Sequence, residues 1–126
     1  METSLRVLVI EDDDDVAELL TLQLEFGLGA TVTRASDGET GLALLCTDAF
    51  DVAVLDVVLA SVSGTTILER LRRHDHRTPV VVVTRVAQSH RIEATRLGAY
   101  AVLPEPYQRR DLLTVVQDAA GTRALA

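Results

Sequence analysis

Short apolar runs, each stopped abruptly by a polar side chain, recur along this chain. Residues 5–10 (LRVLVI), 52–55 (VAVL) and 80–83 (VVVV) are near-continuous apolar stretches. This is the pattern of strands buried on both faces. Residues 31–35 (TVTRA) are β-branched and alternating, and predict a second strand; residues 100–103 predict a short fifth. Between the strands the apolar positions change to helical spacing. Val16, Leu19, Leu20, Gln23 and Leu24 follow an Asp-rich first turn, and Gly27 and Gly29 end that helix. Residues 39–47 carry Leu42, Leu44 and Leu45. Residues 61–64 read as a loop. Thr65 or Thr66 would cap a third helix, with Ile67, Leu68 and Leu71 inward and Arg70, Arg72 and Arg73 in its last turn, favourable to the helix dipole. Residues 89–97, stopped by Gly98, and residues 108–119 complete the set, and residues 121–126 read as a tail or the stub of a linker.

Five strands alternating with five helices predict an α/β fold, with a parallel sheet covered by helices on both faces. At 126 residues the chain forms one domain, residues 1–126, with a core at about 5–120. The sole cysteine, Cys46, lies in an apolar helical pattern and is expected in the core; it permits no internal disulfide, which suits a cytoplasmic location. No apolar run is long enough to span a membrane, and the N-terminal residues do not make a signal peptide. The net charge of -7 argues against a nucleic-acid surface on this domain, and leaves open a DNA-binding domain elsewhere. All 12 basic residues are Arg, so any task that ordinarily needs a lysine passes to Arg or is not done.

The polar residues that stop the apolar runs carry the candidate chemistry. Glu11 and Asp12 follow the first strand, Asp56 ends the third, and Thr84 ends the fourth. In a parallel sheet these ends share one edge, where open α/β sheets bind ligands. Three converging carboxylates repel one another unless a cation binds, and a hard divalent ion with oxygen ligands, Mg²⁺, suits them. The loop after the first strand, EDDDD, would repel a phosphate, and neither GxxxxGK[ST] nor GxSxG occurs. His74, His76 and His90 sit in polar helix ends or loops and have no metal-ligand spacing.

VLVIEDDDDV, followed by VAVLD, VVVVT and LPEPY, resembles the receiver domain of bacterial two-component response regulators, from residue 5 to about 120. The resemblance implies a flavodoxin-like doubly wound sheet of order 2-1-3-4-5, an order that has long been associated with this family. It also implies that Glu11 and Asp12 bind Mg²⁺ together with Asp56 and the carbonyl of Val58. Asp56 would be the phosphoacceptor and Thr84 the hydroxyl that moves toward the phosphoryl group. The expected partners are a sensor histidine kinase or another signalling protein, and a C-terminal DNA-binding output domain, to which Arg109-Arg110-Asp111-Leu112 also points. A homodimer through the fourth helix, fifth strand and last helix is a further expectation. No enzyme activity is expected beyond self-phosphorylation and dephosphorylation at Asp56.

The departures from the family are specific. Glu105 occupies the position of the lysine that normally pairs with the acceptor carboxylate and then with the phosphoryl oxygen. The exchange loses a charge-assisted hydrogen bond of roughly 1.5–3 kcal/mol. It adds repulsion of up to about 4 kcal/mol at ~4 Å and an effective dielectric constant of ~20. Arg85 replaces a small residue, Val102 an aromatic one, and the loop after the acceptor keeps only Gly64 of its usual Asp-Gly ending. Arg85 and Glu105 fall on neighbouring strand ends and are expected to form an ion pair. Arg85 would then either serve as a phosphate ligand or close the pocket. The leading reading is an atypical receiver with weakened phosphorylation. The alternative is a phosphorylation-independent pseudo-receiver acting as a protein-interaction module. A third, a Mg²⁺-dependent phosphohydrolase, would want an Asp where Val58 stands.

Overall fold

A computed structural model describes residues 4–56, 64–73, 77–85 and 88–125, with backbone alone at 64, 88–91 and 123–125. The elements run β1 (Arg6–Ile10), α1 (Asp14–Leu28), β2 (Thr31–Ala35), α2 (Gly38–Thr47), β3 (Val52–Asp56), α3 (Gly64–Arg73), β4 (Val80–Thr84), α4 (Gln88–Arg96), β5 (Ala101–Pro104) and α5 (Arg109–Leu125). The five strands form one parallel sheet in the order β2-β1-β3-β4-β5. The predicted alternation and the order implied by the resemblance both hold.

The sheet separates two apolar layers. Leu8, Ile10, Ala53, Leu55 and Val82 point to the side of α2, α3 and α4, where they meet Leu45, Ile67, Leu68 and Ala94. Val7, Val9, Val52, Val54, Val81 and Val83 point the other way, onto Leu20 and Leu24 of α1 and Leu112, Val116 and Ala119 of α5. The period of two along each strand therefore serves both faces at once. This is why, apart from exposed Arg6 at the amino end of β1, the central strands carry no polar residue until their carboxyl ends. Burying each such Val or Leu contributes about 1.5–3 kcal/mol. No helix among the described residues is long and apolar enough to cross a membrane.

Several boundaries differ from the sequence reading, for local reasons. The helix α3 already begins at Gly64, so Thr65 and Thr66 lie in its first turn and are not its cap. Gly27 does not end α1: it lies inside the helix, and Leu113 of α5 fills the space a side chain would take, its Cδ1 2.5 Å from where a Cβ would stand. The terminator is Gly29, at φ 64°, whose N–H donates to the carbonyl oxygen of Glu25. Cys46 is exposed and not in the core. It sits one residue past buried Leu45, about 100° around the helix. Leu19 is exposed for the same reason, since α1 buries Ala17, Leu20 and Leu24. The proposed tail is helical as far as Leu125, because α5 continues through Gly121. The loop at 61–63, His74, His76 and the side chain of His90 lie outside the described residues.

Helix α2 approaches β1 closely enough to require glycine at 41. A Cβ there would stand 2.6 Å from Cδ1 and 2.8 Å from Cγ1 of Ile10, itself 1% exposed and unable to swing aside. Gly41→Val is expected to destabilise the domain by about 1–3 kcal/mol through overpacking. The shift of the urea unfolding midpoint measures it, and an unchanged midpoint would show that α2 does not press on β1.

Candidate functional site

The carboxyl edge of the sheet is built from the residues that stop the apolar runs. The strand β1 hands over to Glu11, whose N–H donates to the carbonyl oxygen of Ala35 at 3.1 Å, carrying the β1–β2 pairing one step beyond the strand. Glu11 is 5% exposed, and its Oε1 accepts a hydrogen bond from the N–H of Asp13 at 3.2 Å. Asp13 caps α1: its Oδ1 accepts from the N–H groups of Asp15 at 2.9 Å and Val16 at 3.1 Å. Asp14 pairs with Arg34 at 2.7 Å. The five consecutive acids thus divide their roles. Two face the edge, one caps a helix, one binds an arginine, and Asp15 joins the first turn of α1, where negative charge suits the dipole.

Asp56 ends β3 opposite Val83 of β4, and Thr84 follows, 1% exposed. One carboxylate oxygen each from Glu11, Asp12 and Asp56 can be chosen so that all three lie within 4.8 Å of one another. The structure therefore brings together the three carboxylates expected to converge, with Thr84 on the adjacent strand end. Val58, expected to be a metal ligand through its carbonyl, lies outside the described residues.

The register of the last two strands explains the next pair. Thr84 stands opposite Pro104, and the N–H of Glu105 donates to the carbonyl oxygen of Thr84 at 2.7 Å. Arg85 and Glu105 are consequently the next residues out on adjacent strands. Nε of Arg85 lies 3.3 Å from Oε2 of Glu105, with side-chain exposures of 74% and 23%. The ion pair expected from the sequence is present. Its arginine is largely in water, so its contribution to stability is at most about 1 kcal/mol. Glu105 leads through a cis peptide bond to Pro106, and then to half-buried Tyr107, whose hydroxyl donates to Oε1 of Gln23 at 3.4 Å.

The electrostatics of the edge follow from burial and like charge. Burial, with the charges of Asp56 and Asp12 behind it, pushes the carboxyl of Glu11 up to about 7, against the opposing hydrogen bond from Asp13. Burial also raises the carboxyl of Glu105; Asp56 adds to the rise and Arg85 opposes it. The Tyr107 hydroxyl is raised by burial first, then by Glu105 and Glu11. Glu11, Asp56 and Glu105 therefore share one field, and the chain concentrates negative charge where a cation would reduce the repulsion.

Arg34 was not singled out in the sequence. Its Nε and Nη2 both donate to the carbonyl oxygen of Glu11, at 3.1 and 2.9 Å. The available signal was an arginine next to the last residue of a strand that neighbours β1 in the implied order.

A raised carboxyl favours the folded state more as it becomes protonated. Relative to an uncharged side chain, Glu11 therefore costs no stability below about pH 4.5 and costs progressively more as the pH rises to about 7. In EDTA, Glu11→Gln is expected to raise the thermal midpoint at pH 8 and to leave it near that of the unmodified chain at pH 4.5. Equal midpoints at pH 8 would mean that the buried carboxylate is not under strain.

Comparison with known proteins places this arrangement. The family model of the response regulator receiver domain matches residues 7–117. The uncharacterised transcriptional regulatory protein YkoG of Bacillus subtilis is 32% identical over 114 residues, which cover 90% of this chain and 50% of YkoG. The transcriptional regulatory protein CpxR of Escherichia coli K12 is 35% identical over 113 residues, 89% of this chain and 47% of CpxR. The chain spans about half the length of these curated relatives. The receiver domain of the Francisella response regulator 1452 superposes with a TM-score of 0.89 at 27% identity, covering 95% of this chain and 99% of that one. A CheY-like receiver domain protein from Methanospirillum hungatei gives 0.88 at 26% identity, covering 97% and 98%. With the strand order and the acidic edge already in place, a match of this extent has one meaning: the chain belongs to the response regulator receiver domain family of two-component signalling.

Proposed function

We propose that this domain is an atypical receiver, in which Asp56 is the phosphoacceptor and the acidic edge holds Mg²⁺. The observation that carries the reading is the convergence of Glu11, Asp12 and Asp56 within 4.8 Å. The donor set suits a hard divalent ion: carboxylate oxygens only, one of them on a side chain buried under like charge. Glu11, Asp12, Asp56 and the carbonyl of Val58 would hold it. When bound, the ion would neutralise charge on the transferring phosphoryl group.

The chain's own residues account for the rest. A carboxylate oxygen of Asp56 attacks the phosphorus of the donor, the donor's leaving group departs with the bonding electrons, and an acyl phosphate results. Thr84 supplies a hydroxyl on the next strand end to receive the new charge. Glu105 works against the product, because its carboxylate feels Asp56 and replaces a cation with an anion. Arg85 is committed to Glu105 at 3.3 Å. Ordinary phosphorylation is therefore weakened, and the pair closes the pocket. The donor would be a sensor histidine kinase. The relatives, named transcriptional regulators and about twice as long, favour a DNA-binding output domain in the complete protein. A homodimer through α4, β5 and α5 remains part of this reading.

The second reading, a phosphorylation-independent interaction module, is favoured by one observation: Glu105, at the position of the family's lysine, is paired with Arg85 at 3.3 Å. An amide NMR titration separates the two. Mg²⁺ and then beryllofluoride, a phosphoryl mimic, are expected to shift resonances around Asp56 and Thr84, with the beryllofluoride response lost in Asp56→Ala. Shifts with Mg²⁺ alone leave a metal site without phosphorylation, and shifts with neither leave the interaction module. Glu105→Lys is expected to tighten beryllofluoride binding roughly 10- to 150-fold, the equivalent of one regained charge-assisted hydrogen bond of about 1.5–3 kcal/mol. Unchanged affinity would remove Glu105 from the account of the weakened site.

A further inference from the structure

Arg34 is the one charged residue of β2, opposite Val9 in the β1–β2 register and next to Ala35, the partner of Ile10. Its side chain, 28% exposed, reaches over the β1–α1 loop and makes three contacts there. Nε and Nη2 form a fork on the carbonyl oxygen of Glu11, at 3.1 and 2.9 Å, and Nη1 binds Oδ1 of Asp14 at 2.7 Å. On its other side the Glu11 residue donates its N–H to the carbonyl oxygen of Ala35 at 3.1 Å. The backbone of Glu11 is thus gripped through both its donor and its acceptor by two successive residues of β2. The same guanidinium reaches on to the fourth residue of the acidic run, spanning Glu11, Asp12 and Asp13.

We propose that Arg34 is a positioning residue for the divalent-cation site, holding the Glu11-Asp12 segment so that both carboxylates face Asp56. The proposal rests on the Mg²⁺ reading given above. Groups that orient metal ligands from behind commonly set affinity by 10–100-fold. The planar fork on one carbonyl oxygen is a geometry an ammonium does not reproduce.

Charge and positioning predict opposite signs here, which makes the idea testable. As a nearby positive charge, Arg34 repels a cation, so removing the charge alone would tighten Mg²⁺ binding. If Arg34 acts by position, removing it loosens binding despite the electrostatic gain. Calorimetric titration of Mg²⁺ into the EDTA-stripped and dialysed whole chain reads this directly for the unmodified chain, Arg34→Met and Arg34→Lys. Thermal unfolding in EDTA gives the stability of each apo form. Arg34→Met is expected to bind Mg²⁺ about tenfold more weakly or worse, and Arg34→Lys, which keeps the charge without the fork, is expected to remain weaker than the unmodified chain. Binding by Arg34→Met as tight as, or tighter than, the unmodified chain overturns the proposal, and so does full affinity in Arg34→Lys. If Arg34→Met does not fold in EDTA, Arg34→Lys alone decides, by the same criterion. An unmodified chain that shows no response to Mg²⁺ overturns the metal reading itself, and the role of Arg34 with it.

Discussion

Like charges crowded on one edge of a buried sheet are the constraint on which this domain is built. The five strands run parallel and their central members are covered on both faces, so polar side chains are confined to the strand ends. All carboxyl ends lie on one side, and the chain places Glu11, Asp12, Asp56 and Glu105 there. Water cannot screen Glu11, which is almost fully buried. The repulsion is met by three devices: a raised carboxyl on Glu11, an ion pair from Arg85 to Glu105, and a hydrogen bond to Glu11 from the N–H of Asp13, the cap of α1. A cation bound at this edge would relieve that repulsion.

The layers on either side make that edge rigid. Leu45, Ile67 and Ala94 grip one face of the sheet, and Leu24, Leu112 and Val116 grip the other. Close packing of this kind moves between discrete arrangements more readily than it deforms by degrees. The outermost residues of β4 and β5 differ from that core. Arg85 is mostly in water, and its pair with Glu105 adds little stability. A weak, exposed link beside a strongly packed interior lets the rim rearrange without disturbing the fold.

Much of this was legible before the structure because burial imposes simple patterns. A strand enclosed on both faces has to be apolar throughout, so residues 52–55 and 80–83 marked their own positions, and Asp56 and Thr84 their own ends. The Arg85–Glu105 pair could be anticipated because equivalent positions after adjacent strands are neighbours. What the sequence hid depends on rotation about a helix axis or on reach across strands. Cys46 and Leu19 look apolar among apolar neighbours, and only helical phase shows that they face solvent. Gly27 resembles a terminator until Leu113 is seen to fill its place. Arg34 looks like an ordinary strand arginine, since its role depends on a register between β1 and β2 that local pattern does not contain.

The helix α5 reaches Leu125 without a break, and Leu112, Val116, Ala119 and Ala120 anchor it in the core. Such a helix behaves mechanically as a shaft. Each residue inserted into or removed from a helical continuation turns whatever is mounted on it by about 100° and shifts it by about 1.5 Å. Fusions made beyond this point would therefore differ in output with a period close to seven residues, two turns of the helix, even where every contact within the domain is identical.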